Sequence, residues 1–209
     1  DFDRVHSCDK MQLFISATCV RTGKSRVFER HELTTETVLA SACIPHIYHA
    51  VEIDGEAYWD GGYKGNPVLF PFVSHCKSVD VIIVQINPII REETPRTARD
   101  ILNRIDEITF NSGLLTEMRA LAFIGKLVDE GKLDPVDYHH MLLHRITDEK
   151  ELQSLSASSK LNSEWSFFTH LHDVGYHAAD DWLYEHFDDL GKDSTVDISP
   201  DYLRANVQD

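Results

Sequence analysis

The stretch His49-Ala50-Val51-Glu52-Ile53-Asp54-Gly55-Glu56-Ala57-Tyr58-Trp59-Asp60-Gly61-Gly62 carries the strongest local signal in the chain. Asp54-Gly55 lies between two alternating runs, Val51/Ile53 and Ala57/Trp59, a pattern that predicts a β-hairpin closed by a two-residue turn. The second strand of that hairpin runs directly into Asp60-Gly61-Gly62. A carboxylate is thereby placed at a strand end, followed by a loop with glycine's conformational freedom. Such a carboxylate can project into a cleft, although a D-G-G tripeptide taken alone is more often a turn whose aspartate bonds its own backbone.

Working outward, Met11 to Thr18 reads as a buried strand and Arg26 to Glu29 as a second, separated by the turn Thr22-Gly23-Lys24. Thr34-Thr35 can cap a short helix over Glu36 to Cys43, which Pro45 stops. Val79 to Ile86 (VDVIIVQI) is a nearly continuous apolar run, which predicts a strand covered on both faces, as in a parallel sheet flanked by helices. From Thr94-Pro95 the periodicity becomes helical to about Gly131. Ile101, Ile105, Ile108, Leu115, Met118 and Ala122 lie on one face, and Gly113 is a weak point. Tyr138 to Ile146 fits a strand or a helix, with strand preferred. Ser154 to Ser163 reads as a loop, and two helices follow over Glu164–His172 and Gly175–Asp188. Strands alternating with helices argue for an α/β layered domain over 1–190, with a polar tail over 191–209 that is poorly ordered beyond Tyr202.

Composition narrows the function. The 209 residues carry 20 Lys and Arg against 35 Asp and Glu, a formal charge of −15. Such a surface repels phosphate backbones and anionic membranes, so nucleic acid is excluded as a partner. No run approaches the ~18 apolar residues of a transmembrane helix. Cys8, Cys19, Cys43 and Cys76 are irregularly spaced without a CxxC pair, which suits small buried thiols in a reducing, cytoplasmic setting. The start, Asp1-Phe2-Asp3-Arg4, has no methionine and no signal-peptide character, and reads as processed, cleaved or cropped.

Twelve histidines invite a metal reading. His139, His140 and His144 cluster, as do His170, His172 and His177 beside Asp173. No H-E-x-x-H is present, and surface or core histidines are the simpler account. His46 and His49 read as cleft-lining or surface groups. The pairs Asp180-Asp181 and Asp188-Asp189 lack the spacing of a calcium loop. No cofactor or metal is implied. The aromatic residues Trp59, Phe70, Phe72, Phe110, Phe123, Trp165, Phe167, Phe168 and Trp182 read as core.

An ordered set of short motifs surrounds Asp60. Ser16-Ala17-Thr18 is followed by Thr22-Gly23, then Ala40-Ser41-Ala42-Cys43-Ile44-Pro45, then Asp60-Gly61-Gly62 and Gly65-Asn66-Pro67. From Leu13 to Phe72 this order resembles the second half of the patatin-like phospholipase family, whose stretch reads S-A-T, T-G, A-S-x-x-I-P, D-G-G and N-P. The resemblance implies a three-layer α/β fold with a central, mainly parallel sheet, of which this chain holds the C-terminal part. It implies a serine–aspartate acyl hydrolase acting on a hydrophobic acyl ester or lipid. Asp60 would be the catalytic base, with Gly61 and Gly62 shaping its loop. Such a base takes the proton that makes a hydroxyl nucleophilic.

The chain departs from that pattern in one respect. Neither a G-x-S-x-G elbow nor a glycine-rich oxyanion loop is present. Gly23-Lys24-Ser25 fails as an elbow because Val27 stands where the second glycine belongs. The resemblance therefore assigns the serine to an upstream N-terminal segment or a cleaved companion chain, and leaves this chain inactive alone. A non-catalytic binding or assembly subunit that kept the fold is the alternative.

Overall fold

A computed structural model describes residues 1–75, 78–134, 141–155, 159 and 162–203, with side chains of 73–75 not described. Two compact units are present: residues 1–76 with 109–114, and residues 77–108 with 115–209.

The first unit is built on a four-stranded antiparallel sheet in the order β2-β1-β4-β3. Its strands are β1 (Phe14–Cys19), β2 (Ser25–Glu29), β3 (Val51–Ile53) and β4 (Glu56–Asp60). Helices α1 (Phe2–His6), α2 (Thr35–Ser41) and α3 (Phe70–His75) accompany it. The expected hairpin is present: Ile53 pairs with Glu56, and Asp54 and Gly55 take φ of 54° and 78°. Both positions need positive φ in this mirror-image turn, which is why Asp-Gly closes it. Thr34 caps α2 by accepting from the Thr37 N–H, with Thr37 capping reciprocally. The core gathers Ala17, Phe28, Ala40 and Tyr58, with the Phe28 and Tyr58 rings edge to face at 5.7 Å. Lateral pairing on both sides of β1 explains why its last three residues are all buried.

The second unit contains the parallel pair β5 (Asp80–Val84) and β6 (Leu142–Ile146). With helices alongside, it gives the molecule its α/β character. Among the described residues parallel pairing is confined to this pair, because the D-G turn and the short β1–β2 turn can join only antiparallel neighbours. The run around β5 is not covered on both faces as expected. Ile83 is buried, but Ile82 and Val84, which point to the opposite face of the strand, are 44% and 69% exposed.

Helix α4 (Ala98–Asp129) begins after Thr97, whose hydroxyl accepts from the Asp100 N–H, rather than at Thr94-Pro95. The anticipated apolar face is divided: Met118 is fully buried, whereas Ile101, Ile105 and Ile108 are exposed. Gly113 does not interrupt the helix. A Cβ there would lie 3.0 Å from the Gly65 Cα, so the absent side chain permits two backbones to approach.

Helix α5 spans Glu149–Ser154. Helix α6 is one continuous element, Trp165–His186, instead of two. A lone glycine in a helix interior costs only ~1 kcal/mol against alanine, too little for Gly175 to break it. The segment after Gly191 is docked on the parallel pair. Thr195 and Val196 donate backbone hydrogen bonds to the Leu143 carbonyl, and the buried Tyr202 hydroxyl bonds Gln85. The sequence expectations for Tyr138, His139, His140, Cys76, Ser158, Lys160, Leu161 and the chain after Leu203 lie outside the described residues. No helix among those described is long and apolar enough to cross a membrane.

Candidate functional site

Asp60 is the last residue of β4, paired across the sheet with Ala17. Its backbone is held from two sides. The Asp60 N–H donates to the Cys43 carbonyl at 2.9 Å, and the Thr18 hydroxyl donates to the Asp60 carbonyl at 2.9 Å. The chain then turns into a short 3-10 segment, Gly61–Tyr63, and the Asp60 carboxylate accepts from the Gly62 N–H at 2.7 Å. This is the turn-capping geometry that D-G-G suggests by itself. It also fixes the orientation of the carboxylate, which a general base requires.

Close approach explains the two glycines. A Cβ on Gly61 would lie 2.3 Å from both the Ser16 carbonyl oxygen and the Ser16 hydroxyl. On Gly62 it would lie 2.3 Å from the Phe110 ring and 3.1 Å from the Asp60 carboxylate. The strand carrying Ser16-Ala17-Thr18 and the D-G-G turn are thus in direct contact. Phe110 is 9% exposed and sits edge-on to Tyr63 at 4.9 Å, closing this side of the turn.

Cys43 lies beside the aspartate. Its thiol donates to the His49 carbonyl at 3.0 Å. Burial pushes the thiol pKa above the ordinary 9.0, and the neighbouring Asp60 charge adds to the rise. At neutral pH the group is therefore a protonated thiol, which is a poor nucleophile.

Sequence reasoning named Asp60, Gly61 and Gly62 as candidates. It placed Thr18 and Cys43 in the surrounding motifs without giving them work, and it read Phe110 only as core. Asp60 and Phe110 are fifty residues apart, and helical periodicity does not say what a ring faces.

Among the described residues the histidines are dispersed. His144 is fully buried, with its ring nitrogens 3.1 Å from the Asp80 carboxylate and 3.2 Å from the Thr195 hydroxyl. His170 and His172 are exposed on α6 beside Glu151 and Asp173. Among the described residues no three His, Cys, Asp or Glu side chains gather as a metal site requires.

The fold and this turn define an α/β protein with a carboxylate fixed at a strand end by two close-packed glycines. Residues 16–73, the segment that carries Asp60, match the family model described as patatin-like phospholipase. The match covers just over a quarter of the chain, from β1 into α3. No curated protein matches the chain.

Proposed function

We propose that the complete protein hydrolyses the carboxylic ester of an acyl lipid or similar hydrophobic substrate through a Ser–Asp dyad. Asp60 takes the proton of the serine hydroxyl as it attacks the ester carbon, then returns it to the departing alcohol. Water cleaves the acyl-enzyme with Asp60 again as base. The serine and the oxyanion donors come from a segment upstream of Asp1 in the same gene product, or from a companion chain. Residues 1–190 are then the C-terminal part of the hydrolase domain, and this chain alone is inactive. No metal or cofactor takes part.

One observation carries the reading: Asp60 closes a strand inside the patatin-like segment, with its carboxylate oriented by the Gly62 N–H. The second reading, a binding or assembly subunit that lacks catalysis, is favoured by the absence of G-x-S-x-G from the sequence. Intact mass of the purified protein, with the gene read upstream of Asp1, separates the two.

The direct test is Asp60→Asn in the complete protein. Asparagine keeps the size and can still accept from the Gly62 N–H, so the turn survives. It cannot take a proton at neutral pH, and a positioned general base contributes ~10²–10⁴-fold. Ester hydrolysis is expected to fall by at least about 100-fold with the melting temperature nearly unchanged. A folded variant that retains more than about a tenth of the parental rate removes Asp60 from the mechanism.

A further inference from the structure

Helix α6 carries apolar side chains on two opposite faces. Phe167, Leu171, Val174 and Ala178 line a cleft within the second unit, and the buried Trp182 continues that face. One such stripe is what an amphipathic helix needs in order to dock. A second stripe, Trp165, His172, Tyr176, Leu183 and Phe187, follows spacings of seven, four, seven and four. On a 3.6-residue repeat these positions lie above one another, about half a turn round from the first stripe. Trp165 is 81% exposed, Tyr176 61% and Phe187 65%, so this face is open. His172 stacks on Tyr176, with ring centroids 6.4 Å apart and planes at 19°. Phe187 keeps helical dihedrals past His186, so the stripe runs the full length of the helix. An exposed apolar stripe of this length marks an interaction surface.

The charge around the stripe selects the occupant. Residues 164–189 hold seven Asp and Glu and no Lys or Arg. Asp173 and Asp180, seven apart and both exposed, border the stripe along one side. The ion pairs of Asp173, Glu185 and Asp189 are made with histidines of the same helix. A second copy of this chain would set one acidic rim against another, a like-charge juxtaposition that opposes pairing. Anionic lipid is repelled in the same way. Helices that lie in a membrane interface carry Lys and Arg on their polar face, and α6 has neither. A partner rich in Lys and Arg meets no such obstacle. Its cations can pair with Asp173 and Asp180 and lie over the rings of Trp165 and Tyr176.

We propose that the outer face of α6 docks a basic amphipathic helix of another protein, with apolar residues against the stripe and Lys or Arg beside Asp173 and Asp180. The proposal does not require Asp60 to be a catalytic base.

The test titrates the complete protein into a fluorescently labelled synthetic helix about as long as α6, with Leu along one face and Lys on both flanks. Anisotropy reads the binding. Saturation is expected, at least about tenfold tighter than for the same peptide with Glu in place of Lys. Tyr176→Ala and Phe187→Ala are each expected to weaken binding at least about fivefold, as truncation of an interface anchor does. Asp180→Asn is expected to weaken it at least about twofold. Glu52→Gln, at an exposed acid of the first unit, is expected to leave it unchanged. All four positions are exposed, so each variant is expected to match the parent by circular dichroism. Binding indifferent to Tyr176→Ala and Phe187→Ala overturns the proposal, as does an Asp180→Asn effect no larger than that of Glu52→Gln. So does a Glu peptide that binds as tightly, or failure of the complete protein to bind the Lys peptide. Self-association that Tyr176→Ala dissolves, or sedimentation with phosphatidylcholine vesicles that Phe187→Ala abolishes, assigns the face to another occupant and overturns it equally.

Discussion

Gly62→Ala tests whether the D-G-G turn is shaped by packing. The added methyl would sit 2.3 Å from one Phe110 ring carbon and 2.5 Å from the next, more than 1 Å inside the ~3.5–4.0 Å optimum for carbon contacts. Neither atom can yield freely, because Phe110 is buried and its ring is set against Tyr63. Overpacking of this kind costs ~1–3 kcal/mol. The obstacle is a side chain, however, so a smaller residue at position 110 should relieve it. In the Phe110→Leu background the same change is expected to cost no more than about 0.5 kcal/mol, a coupling within the range neighbouring residues show. Gly61→Ala is the counterpart. Its methyl would meet the backbone oxygen of Ser16 at 2.3 Å, so Phe110→Leu should not rescue it. Urea unfolding of the single and double variants, followed by circular dichroism, measures both cycles. If Gly62→Ala and Phe110→Leu add within about 0.3–0.5 kcal/mol, the ring does not dictate the glycine and the account of the turn fails.

Three further outcomes follow from named contacts. The Gly191 N–H and His144 hold the Asp80 carboxyl below its ordinary value of 3.8, in that order of strength. A depressed carboxyl contributes stability above its unfolded pKa and loses it as pH falls through the folded one. The protection of the Gly191 and Thr195 amides against hydrogen exchange, taken relative to the intrinsic rate at each pH, is therefore expected to fall below about pH 4, and unchanged protection there would refute the link. The Cys43 thiol, raised by burial, is expected to react with iodoacetamide at pH 8 far more slowly than an unfolded cysteine; equal rates would contradict its burial. Its contribution to stability is full below pH 9 and is lost as pH rises through the elevated value, so Cys43→Ala should flatten the alkaline limb of a stability–pH curve. Glu107→Gln leaves Arg91 and Arg104 facing a neutral partner in a site where all three side chains are at most 24% exposed. A loss of ~1.5–3 kcal/mol is expected in urea unfolding, the range for hydrogen bonds to charged groups, and a loss under about 0.5 kcal/mol would show the network to be solvated.

The sequence by itself determined whatever rests on short-range chemistry. Asp54-Gly55 dictated its hairpin because few residue pairs accept two successive positive φ values. Thr34 declared the start of α2 because its hydroxyl finds a backbone N–H three residues on. The ordered motifs from Ser16 to Pro67 marked Asp60 and its glycines, and the patatin-like match falls on the same residues. Other features were decided only by tertiary structure, because they depend on what stands opposite. Gly113 and Gly175 look alike as helix interruptions, yet one meets the Gly65 backbone and the other faces open space. The VDVIIVQI run reads as buried on both faces, but a strand face is covered only by what packs over it, and Ile82 and Val84 on one face of β5 stay exposed. Phe110 against Gly62 and His144 against Asp80 follow the same rule. Each joins residues distant in the chain, and neither propensity nor periodicity records which side chain will be there.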